Sequence, residues 1–298
     1  LQSYGRNLYI FNVVMLLLVM IIGQTALGAQ RWIQLGPITL QPSEFSKIIM
    51  IIALAAMLED RVGKLNTVSD ILPVVGYVAL PFFLVLKQPD LGTSLVFIAI
   101  LLGMMFVAGV NLRILAAGFA AGVAASPLLW LFLKDYQKMR LKVFLDPSVD
   151  PLGSGYHIIQ SKIAIGSGLI FGKGLFGGTQ SQLNFLPENH TDFIFAVVGE
   201  ELGFVGAAAL LLLYLVVLWR GVKIARDASD TFGRLLAVGI TSMLAFHVLV
   251  NVGMTTGIMP VTGIPLPLMS YGVSSLTTNM IAITILLNIH MRKAKFVF

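Results

Sequence analysis

The chain has 298 residues, of which 57% are hydrophobic and 11% charged, and its mean hydropathy is +0.90. A soluble domain carries about 25% charged residues, so this composition excludes a water-soluble globule and indicates an integral membrane protein. The absence of cysteine excludes structural disulfides and thiolate chemistry. A net charge of +6 suits loops that meet anionic lipid, and with no basic patch interleaved with aromatics it gives no reason to invoke nucleic acid.

In chain order, apolar runs near 8–29, 43–58, 71–86, 91–109, 112–133, 193–219, 235–256 and 274–291 have the length and character of bilayer-crossing helices. About eight spans therefore predict an all-α integral membrane protein, a polytopic helical bundle forming one membrane domain over 1–298. A β-barrel would show short alternating segments instead. The third and fourth runs are parted only by Lys87, Gln88, Pro89 and Asp90, where the proline forces a break. The opening LQSYGRNLYIF has neither an initiator methionine nor a signal-peptide pattern, which leads us to expect a further N-terminal segment.

Arg6, Arg61, Lys64, Arg113, Arg220, Lys223, Arg226, Arg234, Arg292, Lys293 and Lys295 fall in one alternating set of connections, and that set is cytoplasmic by the positive-inside rule. The long segment 134–192 then forms a large extracytoplasmic loop, although it carries Lys134, Lys138, Arg140, Lys142, Lys162 and Lys173. Long loops are partly exempt from the rule; cations placed there also suit an anionic partner such as a lipid phosphate. Within this loop YHIIQSKIAIGSGL, 156–169, has a helix-like period without a full apolar run, which predicts a short amphipathic helix on the outer surface. No internal repeat of the kind found in inverted-repeat transporters is apparent.

Polar clusters gather on the outer side. In GAQRWIQLGPITLQPSEFSK, 28–47, Pro42 suits a first helical turn, and Glu44 and Lys47 are three apart and can pair on one face. Lys47 lies inside a span, where a charge usually faces a polar cavity. In QPDLGTS, 88–94, Asp90 reads first as a helix cap. The densest stretch is 166–201, in which Glu188, His190 and Asp192 alternate just before an apolar run. Asp192 caps the following helix or, at the mouth of an apolar cavity, serves as a general base. Glu188, His190 and Asp192 could also chelate a divalent cation, although three ligands without a second cluster make a weak metal site. No other cofactor is indicated. Glu200, Glu201, His247 and Asn251 are intramembrane and read as interhelical polar pairing rather than a proton path. GIMPVTGIPLPLMSYGVSS, 257–275, reads as a rigid re-entrant loop.

GAQRW, QPSE, QPDLGTS, DPLGSGYHIIQSKIAIGSG, GTQSQLNFLPENHTDFIFAVVGEELG and the Pro-Leu-Met-Ser-Tyr-Gly run occur in this order, and with them the chain resembles, over essentially its whole length, the shape, elongation, division and sporulation (SEDS) proteins. HIIQSKIAIGSG and HTDFIFAV place it nearest the RodA branch. Val273 stands where the family commonly has a second glycine after Ser-Tyr-Gly. The resemblance implies a peptidoglycan glycosyltransferase of the bacterial cytoplasmic membrane that polymerises lipid II on the outer face, with a class B penicillin-binding protein as partner and usually ten spans, so that two would precede this chain. It also implies that Asp192 is the essential aspartate and that Arg31, Glu44 and Lys47 belong to the site. From their place in the polar outer segment, Lys173, Glu188 and His190 are further substrate-binding candidates. A lipid II flippase and a non-catalytic scaffold of the elongation machinery are the alternatives.

Overall fold

The computed structural model describes residues 2–26, 29–36, 38–151, 153–183 and 185–293. Gly28, Leu152, Asn184 and Lys295, which figure in the motifs and charge counts above, lie outside the described residues. In chain order the elements are α1 (Gly5–Ile22), β1 (Gln24–Ala26), β2 (Ala29–Leu35), β3 (Ile38–Leu40), α2 (Pro42–Glu59), α3 (Val68–Lys87), α4 (Leu91–Val107), α5 (Leu112–Phe132), α6 (Asp135–Leu145), α7 (Ser154–Ser167), α8 (Thr179–Gln182), α9 (Ile194–Asp227), α10 (Thr231–Thr256) and α11 (Val273–Lys293).

A helix occupies each of the eight expected places. Five of them, α1 with its preceding turn, α3, α9, α10 and α11, are long and apolar enough to cross a membrane. The other three are limited by length or charge: α4 has 17 residues, the apolar stretch of α5 is Leu112–Ala125, and α2 holds Glu44, Lys47 and Glu59. The chain is a multi-pass helical membrane protein. The expected all-α pattern is modified by a small antiparallel sheet, ordered β1-β2-β3, in register Gln24↔Trp32 and Ile33↔Leu40. It takes up residues that the first apolar run had been expected to carry to 29, because α1 ends at Ile22 with Gly23 extended.

The described residues fall into two compact units, one drawn from 2–118, 218–246 and 272–293 and the other from 119–217 and 247–271. In the first, α2 is the central helix, and α1, α3, α4 and α11 all pack on it. Met50, Ile51, Leu54 and Ala55 are wholly buried. Pro42 opens α2 at its first turn, as expected. The break between α3 and α4 falls at the expected proline, and Asp90 caps α4 by accepting from the Thr93 N–H at 3.1 Å.

In the second unit α7 follows the expected helical pattern. Ile158, Ser161 and Ala164 face inward while Ile159, Lys162 and Ile163 stay exposed. Its inner face packs with Leu186, Phe193 and Ala196. The helix α6 precedes it and was not expected, since its sequence DYQKMRLKVFL has no apolar stripe. The main irregularity is in α9. At Gly203 the backbone turns to φ 63°, ψ −164°, a conformation essentially confined to glycine. The interrupted ladder is completed by the loop after α7: Lys173 and Gly174 donate to the carbonyls of Glu200 and Glu201 at 3.0 and 2.9 Å, and Phe204 and Val205 donate to those of Leu169 and Ile170 at 2.9 and 3.1 Å. The two backbones touch, so that a Cβ on Gly203 would run into Gly172 N and one on Gly172 into Glu201 O.

Gly203→Ala should therefore lower the thermal midpoint, with about 1–3 kcal/mol from backbone strain alone and more from the clash. Gly166→Ala, where a Cβ on α7 meets nothing within 4 Å, should be neutral or stabilising by up to about 1 kcal/mol. Thermal unfolding of both variants in one detergent checks the pair, and equal midpoints would contradict the packing described.

Candidate functional site

Two polar clusters carry the candidate residues, one in each unit. In the first unit Asp90 is a hub as well as a cap. Its carboxylate accepts from Gln41 Nε2 at 2.9 Å, Ser43 Oγ at 3.2 Å and Thr93 Oγ1 at 2.9 Å, besides the Thr93 N–H. Arg31 lies 3.8 Å from Asp90 Oδ1 as a long ion pair, with its side chain 25% exposed and its Nε without a partner. One turn into α2, Lys47 Nζ donates to Glu44 Oε1 at 2.8 Å. Both side chains are almost wholly buried, which confirms the expected i, i+3 pair. Glu44 Oε2 is buried without a hydrogen-bond partner. The Gln41 N–H donates to Ser274 Oγ at 2.9 Å, which ties the entry of α2 to the start of α11.

In the second unit the organising group is Glu200, whose side chain is wholly buried. It accepts from Lys173 Nζ at 2.8 Å and from the N–H groups of Gln180 and Ser181 at 2.9 and 3.0 Å. Its neighbour Glu201 accepts from Gln182 Nε2 at 3.3 Å. The expected interhelical pairing of Glu200 and Glu201 is thus narrowed: their partners are Lys173 of the loop after α7 and the short helix α8, not another helix of membrane-spanning length, because the break at Gly203 lets this segment lie against α9. Asn251 likewise donates to two loop carbonyls, those of Asp192 at 2.9 Å and Ile264 at 2.7 Å.

The turn bearing Glu188, His190 and Asp192 is held by its backbone. Three successive carbonyls each receive a hydrogen bond from outside the turn: His190 O from the Tyr271 N–H at 2.8 Å, Thr191 O from Ser270 Oγ at 2.6 Å, and Asp192 O from Asn251. The donors Ser270 and Tyr271 end the loop 257–271, which is buried at Ile264 and Leu266 and fastened by Tyr214 OH to Pro267 O at 2.6 Å. The Asp192 side chain is half-buried, and a Cβ built on Gly263, at φ +74°, would sit 3.2 Å from its Oδ2. Glycine at 263 thus keeps the loop backbone directly against the carboxylate.

Glu188 and His190 are exposed on this turn. Glu188, at φ 53°, takes a hydrogen bond from Thr191 Oγ1 at 2.8 Å, and His190 Nδ1 is 2.9 Å from Asn189 Oδ1. Asn189 Nδ2 in turn donates to Ser181 O at 2.9 Å. Among the described residues no three His, Asp or Glu side chains converge as a metal site requires, so the considered chelate of Glu188, His190 and Asp192 does not form in this geometry. A cleft of about 280 Å³ opens beside the turn, lined by Ser181, Gln182, Asn189, His190, Ile194 and Val197.

Sequence reasoning missed His157, whose one visible signal was an imidazole beside the apolar Ile158 and Ile159 of an amphipathic helix. Its ring stacks on that of Phe193 at 5.9 Å and 13°, directly after Asp192, with Nδ1 buried and unpartnered. Burial holds the imidazole below the usual histidine range; the nearby Glu188 carboxylate opposes this.

The fold and these clusters define a multi-pass membrane protein with a rigidly held, half-buried aspartate on a polar loop. The family model covering the FtsW, RodA and SpoVE proteins, described as cell cycle protein, matches residues 1–295. The chain belongs to this family. It is 46% identical to the peptidoglycan glycosyltransferase MrdB of Escherichia coli K12, over 98% of this chain and 79% of that protein. Among solved structures it is similar to a chain from a peptidoglycan synthase complex that coordinates polymerization and crosslinking, with a TM-score of 0.83, 34% identity, and coverage of 98% of this chain and 82% of that one. It is also similar to the rod shape determining protein RodA of Thermus thermophilus, with a TM-score of 0.71, 32% identity, and coverage of 98% and 79%.

Two measurements check this geometry. Lys173→Met strands the buried Glu200 carboxylate and should destabilise the protein, and adding Glu200→Gln should recover part of the loss. A double-mutant cycle of thermal midpoints should give a coupling of roughly 0.5–3 kcal/mol; additive losses would mean that the pair is not formed. For His157 the folded pKa lies below the unfolded value of 6.5. Stability should be full above about pH 6.5 and decline as the pH falls towards the folded value. Midpoints measured against pH should show this decline in wild type and not in His157→Gln.

Proposed function

We propose that this chain is a peptidoglycan glycosyltransferase that polymerises lipid II on the outer face of the bacterial cytoplasmic membrane during cell elongation. Its partner on this reading is a class B penicillin-binding protein acting as transpeptidase. Family membership supports the reaction class, and the observation that carries the role of Asp192 is the turn fastened through the carbonyls of His190, Thr191 and Asp192. A side chain fixed through its backbone arrives oriented, which is what a general base needs.

Lipid II is a disaccharide-peptide carried on a polyprenyl diphosphate. The 4-hydroxyl oxygen of the acceptor sugar attacks the anomeric carbon of the donor, Asp192 takes the hydroxyl proton, and the bond from the anomeric carbon to the diphosphate oxygen breaks. The diphosphate leaves with the electron pair. An α-linked donor giving a β-linked product requires one inverting displacement without a covalent intermediate. A diphosphate leaves without a proton, so the paired carboxylates of a glycosidase are not needed. Arg31, Lys47 and Lys173 are the cations that could offset the charge of the leaving diphosphate; Lys47 and Lys173 each sit 2.8 Å from a carboxylate. Arg31 is held at 3.8 Å with Nε unpartnered, which makes it the best placed to exchange its partner for a phosphate. Glu188 and His190, exposed on the turn, offer hydrogen bonds to the polar parts of the substrate.

The test is lipid II polymerisation by the full-length protein with its transpeptidase partner, wild type against Asp192→Asn. Wild type should make glycan, and the variant should bind lipid II while losing about 10²–10⁴-fold in turnover. A variant that polymerises normally would remove Asp192 from the chemistry. Lipid II crossing liposome membranes while neither protein makes glycan would favour a transporter.

A further inference from the structure

The first unit holds a second cavity that the glycosyl transfer does not use. It is a slot of about 360 Å³ between the last turns of α4, the end of α9 and the start of α10, walled by Phe106, Val107, Val222 and Val238, with Arg226 and Arg234 on its lining. Two close helix approaches border it, where a Cβ on Gly103 would run into Ser242 Oγ and one on Gly221 into Thr241 Oγ1. Its open side faces away from the protein, since Phe106 is 61% and Val222 58% exposed. A slot with apolar walls and two guanidinium groups has the chemistry of a site for an anionic amphiphile.

Three further observations fix the occupant. Among the described residues the ion pairs are those of Arg31, Lys47 and Lys173, so none of them engages Arg226 or Arg234. The acids nearest in sequence have other tasks: Asp230 accepts from the Gly233 N–H at 2.9 Å as the cap of α10, and Asp227 has a partner of its own. Two turns before Arg226, the exposed Trp219 carries Arg220 and Lys223 at 5.4 and 5.5 Å from its ring centroid. That is an interfacial aromatic with snorkelling cations, which marks the level of the lipid headgroups. Helical side chains tilt toward the helix N-terminus, so Arg226 leans back from the end of α9 toward that level. The Lys and Arg distribution makes this end of the helices cytoplasmic.

We propose that this slot binds one anionic phospholipid of the cytoplasmic leaflet, its phosphate on Arg226 and Arg234 and an acyl chain along Phe106, Val222 and Val238. The lipid fills the gap left beside these glycine contacts and makes the cytoplasmic side of this unit responsive to membrane composition.

The test is native mass spectrometry of the full-length protein released from vesicles of equal parts dioleoylphosphatidylglycerol and dioleoylphosphatidylcholine. Wild type should retain one phosphatidylglycerol in preference to phosphatidylcholine. Arg226→Gln with Arg234→Gln should weaken that retention about 20- to 30-fold. Val222→Trp, which fills the slot from its exposed side and keeps both charges, should also weaken it. If the double variant fails to fold, Arg226→Gln alone, at an exposed position, should weaken retention about 5-fold. Equal retention of the two lipids by wild type, or unchanged retention in the arginine variants, would overturn the proposal. So would a wild-type protein that carries a polypeptide in the slot and no lipid.

Discussion

The second unit depends on one buried charge. Glu200 lies wholly inside on a helix of membrane-spanning length, where an unpaired carboxylate would be costly. It is stabilised by Lys173 and by the N–H groups that start α8. That arrangement is possible only because α9 breaks at Gly203 and lets the loop from Leu169 to Gly174 complete the interrupted ladder. From Glu200 the order propagates outward. Its carboxylate fixes α8, the Ser181 carbonyl accepts from Asn189, and Asn189 adjoins His190. A structural carboxylate in the helix thus sets the position of the turn that carries Asp192.

The same turn is reached from the other side by a separate set of donors, Asn251, Ser270 and Tyr271, which bind its backbone carbonyls. Two attachments to a short turn restrict it more than either one would, and they make the positive φ of Glu188 tolerable. Residues in such conformations persist where the surroundings over-determine them. Preorganisation of this kind is what a displacement reaction gains from a protein that forms no bond to its substrate.

Much of the frame was legible because its signals are local. Length and hydropathy located eight helices, a proline and Asp90 marked the break between α3 and α4, and the spacing of Glu44 and Lys47 foretold their pair. The sheet over 24–40 was not legible: its strands of three, seven and three residues are too short and mixed to alternate clearly. Nor was α6, whose charged residues carry no stripe. Within the site, Asp192 stood out by residue type, whereas the groups that hold it did not. Asn251 is 59 positions away and Ser270 79 from the carbonyl it binds. Glu200 was noticed as a buried charge and given the wrong kind of partner, because a helix interior predicts neighbours on other helices. Only the break at Gly203 admits a loop, and a glycine within an apolar run does not announce a positive φ.

The distribution of charge follows from the same constraint. In a low-dielectric interior a charge is tolerated when paired, and the buried carboxylates of Asp90, Glu44 and Glu200 have Arg31, Lys47 and Lys173. The pairs differ in how readily they open. The Lys47 and Glu44 side chains are almost wholly buried at 2.8 Å, and Lys173 is tied to a carboxylate that also holds α8 in place, so separating either pair leaves a buried charge behind. Asp90, by contrast, keeps its hydrogen bonds from Gln41, Ser43 and Thr93 whether or not Arg31 is near. The Asp90 carboxylate would therefore stay hydrogen-bonded if Arg31 moved away. Among these three pairs the longest is thus the one whose carboxylate is best supplied with neutral donors.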